Sequence, residues 1–155
     1  MILKDEFDLE DFTHSETAKA KKIDNSPEEI HEQNLKTLYE ELLKPLKARV
    51  STKFAKEIEF QINSGYRSKL LNAKIGGANT SQHSLGEAAD TVAIGISIEE
   101  FYQAIKELVK AKALEVDQCI QEDNRWVHLS YRKGKNRNQF LRAKPLNGKM
   151  QYKAD

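Results

Sequence analysis

A single cysteine, Cys119, stands in a chain of 155 residues. That scarcity constrains the fold more than any other feature. A domain of this size with one thiol has no internal disulfide framework and no zinc site built from cysteines. It must be held by an apolar core, and any metal must be held by histidine with aspartate or glutamate. Hydrophobic residues supply 39% of the chain, and the length suits one domain. The expectation is therefore a single domain over 1–155, with 1–12 and 146–155 as candidate flexible ends.

Charge adds a second constraint. Lys and Arg number 25 against 24 Asp and Glu, a net of +1, which excludes a polyanion binder driven by bulk charge. The near-neutral total hides a gradient. Residues 132–155 hold eight basic side chains and one acidic one, whereas residues 1–62 hold 10 basic and 14 acidic. The basic tail lacks the interleaved aromatics of a nucleic-acid groove, so it reads as a solvated surface around a last strand, with no nucleic-acid partner. An anionic polymer such as cell wall is the other partner it could meet. The start, MILKDEFDLEDF, shows no basic residues followed by a long apolar run, so it does not read as a signal peptide. No stretch approaches about 18 uninterrupted apolar residues. The expectation is a monomer in the cytoplasm of the producing cell, without membrane insertion.

Helical and strand periods alternate along the chain. Thr13 with Glu16 has capping-box spacing and predicts a short helix to about Lys22. Ser26, Pro27 and Glu29 predict a helix start, followed by Leu35, Leu38, Tyr39, Leu42 and Leu46 on one buried stripe, with Pro45 ending or kinking it. Ile58, Phe60 and Ile62 alternate as a half-buried strand. Ser68 to about Lys74 predicts a short helix stopped by Gly76-Gly77, and Ala89 to Ile94 a buried strand. Ser97 and Glu100 form a capping box for a helix to about Ala113 that buries Ile98, Phe101, Ile105 and Leu108. Apolar runs at Val116–Ile120 and Trp126–Tyr131 flank a hairpin turn at Glu122–Arg125. The class is α+β, with N-terminal helices packed on a small, mostly antiparallel sheet.

Three segments carry chemistry: Ser64-Gly65-Tyr66-Arg67-Ser68, Ser81 through Asp90, and Trp126 through Tyr131. His83 and Asp90 are seven positions apart, which does not suit one helical face, so they converge across a loop that enters a strand. Gly86, Ala88 and Ala89 between them let the backbone fold tightly. His128 supplies a third ligand from a neighbouring strand. Two imidazoles and one carboxylate suit one Zn²⁺, and three protein ligands leave the open position of a catalytic site. His14 and His31 lie on polar segments and read as surface side chains. Cys119 reads as a buried, inert thiol, and Trp126 as a wall beside His128.

These segments resemble the zinc D-Ala-D-Ala carboxypeptidase and peptidoglycan endopeptidase family, which shares its fold with the hedgehog signalling domain. Phe12-Thr13-His14-Ser15, Ile23-Asp24-Asn25, Leu71-Asn72, Gly76-Gly77-Ala78 and Asp117-Gln118 extend the match, which covers roughly residues 10 to 145. The HxxGxAxD pattern from His83 to Asp90 is moderately specific alone. It is strong when joined to GYRS upstream and WVH downstream. The resemblance implies that His83, Asp90 and His128 are the zinc ligands. It implies that Arg67 contacts substrate and polarises the scissile carbonyl, with Tyr66 and Ser81 beside it as substrate-binding residues.

The resemblance departs from the usual pattern at the general base. Many members carry an acid three positions before the last histidine, where this chain has Arg125. Members with the WVH variant resemble this chain in carrying a glutamate further back, which makes Glu122 the expected base and Asp123 the alternative. The implied activity is hydrolysis of peptidoglycan stem peptides, either as a carboxypeptidase or as an endolysin-type endopeptidase. Single-domain phage and prophage members resemble the chain in lacking an export signal, since they reach the wall at lysis. A zinc-containing muropeptide-binding module with little hydrolysis is the other reading, and it rests on Arg125.

Overall fold

Side chains alternate across a β-strand, so neighbouring residues of one strand face opposite sides of a sheet. In the computed structural model, which describes all 155 residues, six strands exploit that rule: β1 (Phe60–Ser64), β2 (Ala88–Ala93), β3 (Gln118–Glu122), β4 (Trp126–Ser130), β5 (Gln139–Leu146) and β6 (Lys149–Ala154). They lie in the order β1-β2-β4-β3-β5-β6. Every pairing is antiparallel except that of β3 with β5. The α+β class and the mostly antiparallel sheet follow the sequence reading.

One face of the sheet is apolar. Phe60, Ile62, Ala89, Ala93, Cys119, Val127 and Leu129 meet the helices in a core of 23 buried residues. The main helical stripe runs through α3 (Glu29–Thr37), a π-helical turn (Leu38–Leu43) and α4 (Lys44–Lys53). Leu35, Leu38, Leu42, Leu43 and Leu46 are fully buried there. Each such side chain contributes roughly 1.5–3 kcal/mol of transfer free energy. Pro45 does not end this stripe. It occupies the first turn of α4, and the π turn before it passes the Lys44 amide to Tyr39 O. The wider turn absorbs the amide that proline lacks. A short helix, α5 (Lys69–Lys74), follows β1, and across the core lies α6 (Ile98–Lys110), which opens with the expected capping box between Ser97 and Glu100.

Two helix starts differ from expectation for a local reason. Thr13 does not cap, because its hydroxyl donates to Leu9 O within a short turn, α1 (Glu10–Thr13). Ser15 caps α2 (Glu16–Lys21) instead, accepting from Ala18 N. Asp24 Oδ1 accepts the Ser26 amide in an Asx turn, so α3 begins at Glu29, three residues after Ser26. Asp and Ser side chains compete with the helix for nearby amides, which shifts starts by a few residues.

The two ends expected to be flexible are both tied down. Leu3 is 1% exposed, and its amide donates to Phe60 O. Residues 149–154 pair with β5 along their whole length. Asp155 holds the last strand to α6 by accepting from Tyr102 Oη and Lys106 Nζ. Bidentate bonds from Arg142 to Glu99 hold β5 to the same helix. No helix is long and apolar enough to cross a membrane.

Candidate metal centre

The second face of the sheet is polar, and cross-strand register arranges it in rows. Asp90 of β2 pairs with His128 of β4, His128 with Ile120 of β3, and Ile120 with Leu141 of β5. One row further, Trp126 pairs with Glu122, Glu122 with Ala143, and Ala143 with Tyr152. Asp90, His128 and Glu122 therefore share one face by strand parity, and Glu122 is diagonal to His128.

His83 reaches this face from outside the sheet. It sits in a 3₁₀ turn (Gln82–Leu85) capped by Ser81, whose Oγ accepts the His83 amide at 3.2 Å. The turn ends at Gly86 with φ +73°, where any Cβ would collide with His31 O. That is why the pattern needs glycine three positions after the histidine. His83 Nδ1 lies 2.7 Å from Gly65 O. A carbonyl only accepts, so Nδ1 carries the proton and Nε2 presents its lone pair.

That lone pair points at a carboxylate. His83 Nε2 lies 3.3 Å from Asp90 Oδ1, and His128 Nδ1 lies 3.0 Å from the same oxygen. The three residues are 3%, 8% and 9% exposed for His83, Asp90 and His128, and their ligating atoms lie within 4.8 Å of one another. A buried lone pair facing a carboxylate oxygen is relieved by a cation between them, either a proton on the imidazole or a metal ion. Ligand bonds of about 2.0–2.1 Å in a tetrahedron put ligand atoms ~3.3 Å apart, close to the 3.3 and 3.0 Å that separate Asp90 Oδ1 from His83 Nε2 and His128 Nδ1. The residues present thus fit a zinc ion, and the Gly65 carbonyl is the outer partner that orients His83. Burial would raise the Asp90 carboxyl, but the His83 and His128 imidazoles outweigh it and hold it well below the usual carboxylate range.

Glu122 Oε1 stands 4.0 Å from His128 Nδ1. Burial pushes its carboxyl above the usual value, and the charge of Asp90 adds to the shift, against the opposing pull of His128 and Arg67. A raised carboxyl beside a metal site has the profile of a general base. Asp123 faces away. It is the first left-handed residue of the hairpin turn, with φ 51° before Asn124 at 55°, and its amide donates to Ala143 O. Arg125 is exposed and stacks on the Trp126 ring at 4.8 Å.

Arg67 borders the same site. Its amide donates to His83 O, and its Nη2 lies 3.3 Å from Ser81 Oγ. Burial lowers the guanidinium's affinity for its proton, while Asp90 and Glu122 oppose that shift. Its Nε is buried without a partner within the protein. Tyr66 is placed differently from expectation. It is 6% exposed, its ring stacks on His31 at 5.4 Å, and it does not line the metal cleft. It borders a separate cavity of about 330 Å³ on the far side of Arg67. His31 is correspondingly half-buried rather than a free surface side chain, whereas His14 pairs with Glu16 at 2.9 Å. Cys119 is fully buried, and burial pushes its thiol well up, as an inert core position requires.

His83, Asp90, His128, Glu122, Arg67 and Ser81 all line one cleft of about 1030 Å³. The far wall holds residues that sequence reasoning missed: Gln118, Arg137, Leu141, Met150 and Tyr152. Arg137 is itself fixed by a bidentate pair with buried Asp117, which also accepts from Gln82 beside His83. A signal for this wall was present in Asn147-Gly148, the left-handed pair of a type I′ turn with φ 52° and 79°. A family model described as Peptidase M15 matches residues 5–130. A search of curated proteins finds no match.

Proposed function

The chain belongs to the Peptidase M15 family, and from that premise we propose that it is a zinc-dependent peptidase of peptidoglycan stem peptides. The observation that carries this reading is the conjunction of a buried His83–Asp90–His128 donor set with Glu122 and Arg67 on one cleft. His83 Nε2, Asp90 Oδ1 and His128 Nδ1 would hold the ion, which when bound would supply Lewis acidity. The protein's own groups do the rest. Glu122 takes a proton from the attacking water, and its raised affinity for that proton lets it pass the proton to the leaving amine. Arg67 donates to the scissile carbonyl oxygen as negative charge develops there, and it remains charged throughout. Ser81 holds the guanidinium in place.

The substrate class rests on the resemblance of the His83–Asp90 and Trp126–His128 segments to wall-peptide hydrolases. Both terminal trimming of D-Ala and cleavage within the stem belong to that class. Incubating purified muropeptides with the protein and with His83→Ala, then weighing the products by mass spectrometry, tests the activity and separates the two cuts. Cleavage by the wild type and none by His83→Ala is expected. Equal cleavage by both would remove His83 from the mechanism. The second reading, a zinc-containing muropeptide-binding module, is favoured by Arg125 standing where many relatives place an acid. Binding of muropeptides without any product would select it.

A further inference from the structure

We infer that Tyr152, on the last strand, is a substrate-contacting residue of the cleft, so that the β5–β6 hairpin is a wall of the peptide-binding site. The inference rests on the peptidase reading and extends it to residues 139–154, outside the 5–130 stretch matched by the family model. Register is the first argument. Tyr152 lies in the row Trp126–Glu122–Ala143–Tyr152, on the face that carries the metal donors. Ala143 between Glu122 and Tyr152 is completely buried although it has only a methyl group. Larger neighbours must therefore lean over it, and Glu122 and Tyr152 are its partners in that row.

The environment of the ring is the second argument. Tyr152 lines the cleft together with Met150, two positions away on the same strand face. It is nevertheless 55% exposed. Two other tyrosines satisfy their hydroxyls internally: Tyr39 donates to Lys4 O and Tyr102 to Asp155 Oδ2. The Tyr152 hydroxyl has no such partner and opens into the cleft.

The hairpin is also held firmly enough to act as a wall. Arg142 bonds Glu99 twice and Asp155 once, while Asp155 also accepts from Tyr102 and Lys106. An aromatic ring with one polar end, fixed opposite Arg67 across the metal donors, suits a peptide in two ways. The ring face packs on a short side chain such as the methyl of alanine, and the hydroxyl donates to a backbone carbonyl.

The test compares wild type, Tyr152→Phe and Tyr152→Ala on a synthetic stem pentapeptide ending in D-Ala-D-Ala. Turnover gives kcat/KM. The lone tryptophan, Trp126 in the cleft wall, reports binding by fluorescence in a zinc-loaded Glu122→Gln background. Removing the hydroxyl alone is expected to lower kcat/KM by roughly 2–10-fold, the worth of one hydrogen bond. Tyr152→Ala is expected to lower it about tenfold or more and to weaken peptide binding in parallel. Zinc content and Tm should match wild type in both variants. Should Tyr152→Ala disturb the hairpin, Tyr152→Phe decides alone. Kinetics and binding within about twofold of wild type for both variants overturn the inference. Peptide binding that depends on Tyr152 without any turnover keeps the inference and defeats the hydrolytic reading. Absence of saturable binding in the Glu122→Gln protein with Tyr152 intact overturns the inference as well.

Discussion

Strand β4 carries two opposite kinds of residue in alternation. Val127 and Leu129 are fully buried in the core, while Trp126 and His128 line the cleft. β2 repeats the contrast, with Ala89 and Ala93 in the core and Asp90 in the cleft. The difference teaches that register and chemistry are one constraint here. A one-residue slip would bury His128 and Asp90 among leucines and send Leu129 to the metal face. The packing of the apolar face thus fixes the donors of the other face to within the tolerance that a metal demands.

If the two faces have separate duties, substitutions should separate activity from stability. The largest effect is expected from Glu122→Gln on the cleft face. Loss of a general base should lower kcat by roughly 10²–10⁴ with Tm and zinc content unchanged, read by peptide turnover beside metal analysis. A drop of less than about tenfold would move the base elsewhere, since it falls below the range of general-base catalysis. Arg67→Met should follow at roughly 10²–10³, the cost of one donor to a developing oxyanion. Its signature is a fall in kcat exceeding any rise in KM.

On the core face the order reverses. Leu129→Ala should cost about 2–5 kcal/mol of stability by leaving a cavity, measured by urea unfolding, while the surviving folded fraction keeps its specific activity. Loss of activity beyond loss of fold would mean that the faces are coupled more tightly than register alone implies.

The smallest effect concerns pH. Burial would raise the Asp117 carboxyl, yet bonds from Arg137 and Gln82 outweigh it and lower it below the usual value. A lowered folded-state value means stability that is present above the unfolded carboxyl range and lost as pH falls through the folded one. Asp117→Asn should therefore cost about 1–3 kcal/mol near neutrality. It should also flatten the acid limb of Tm against pH, and an unchanged limb would show that the pair contributes nothing there.

Much of this was legible in the sequence, for physical reasons that differ by element. Ser97 with Glu100 marks α6 because a capping box is local chemistry, satisfied within four residues. His83, Gly86 and Asp90 are legible because a tight turn and a donor pair leave a fixed spacing. The start of α3 is not, since Asp24 takes the Ser26 amide in an Asx turn and delays the helix to Glu29. Nor is the fate of Tyr66, whose burial depends on His31 from a distant helix. The β5–β6 hairpin is the main omission. Its Asn147-Gly148 turn is a strong local signal, but the exposed Lys149 and Lys153 make the segment read as a polar tail. Its parallel pairing with β3 is a long-range contact that no local pattern carries.

The central claim is that His83, Asp90 and His128 hold a zinc ion on which peptide hydrolysis depends. The most direct measurement is the rate of stem-peptide cleavage by protein as purified, stripped with a chelator, and reloaded with zinc. The account predicts that stripping abolishes cleavage and that zinc restores it at one ion per chain. Cleavage that continues at the same rate in the stripped protein would contradict it.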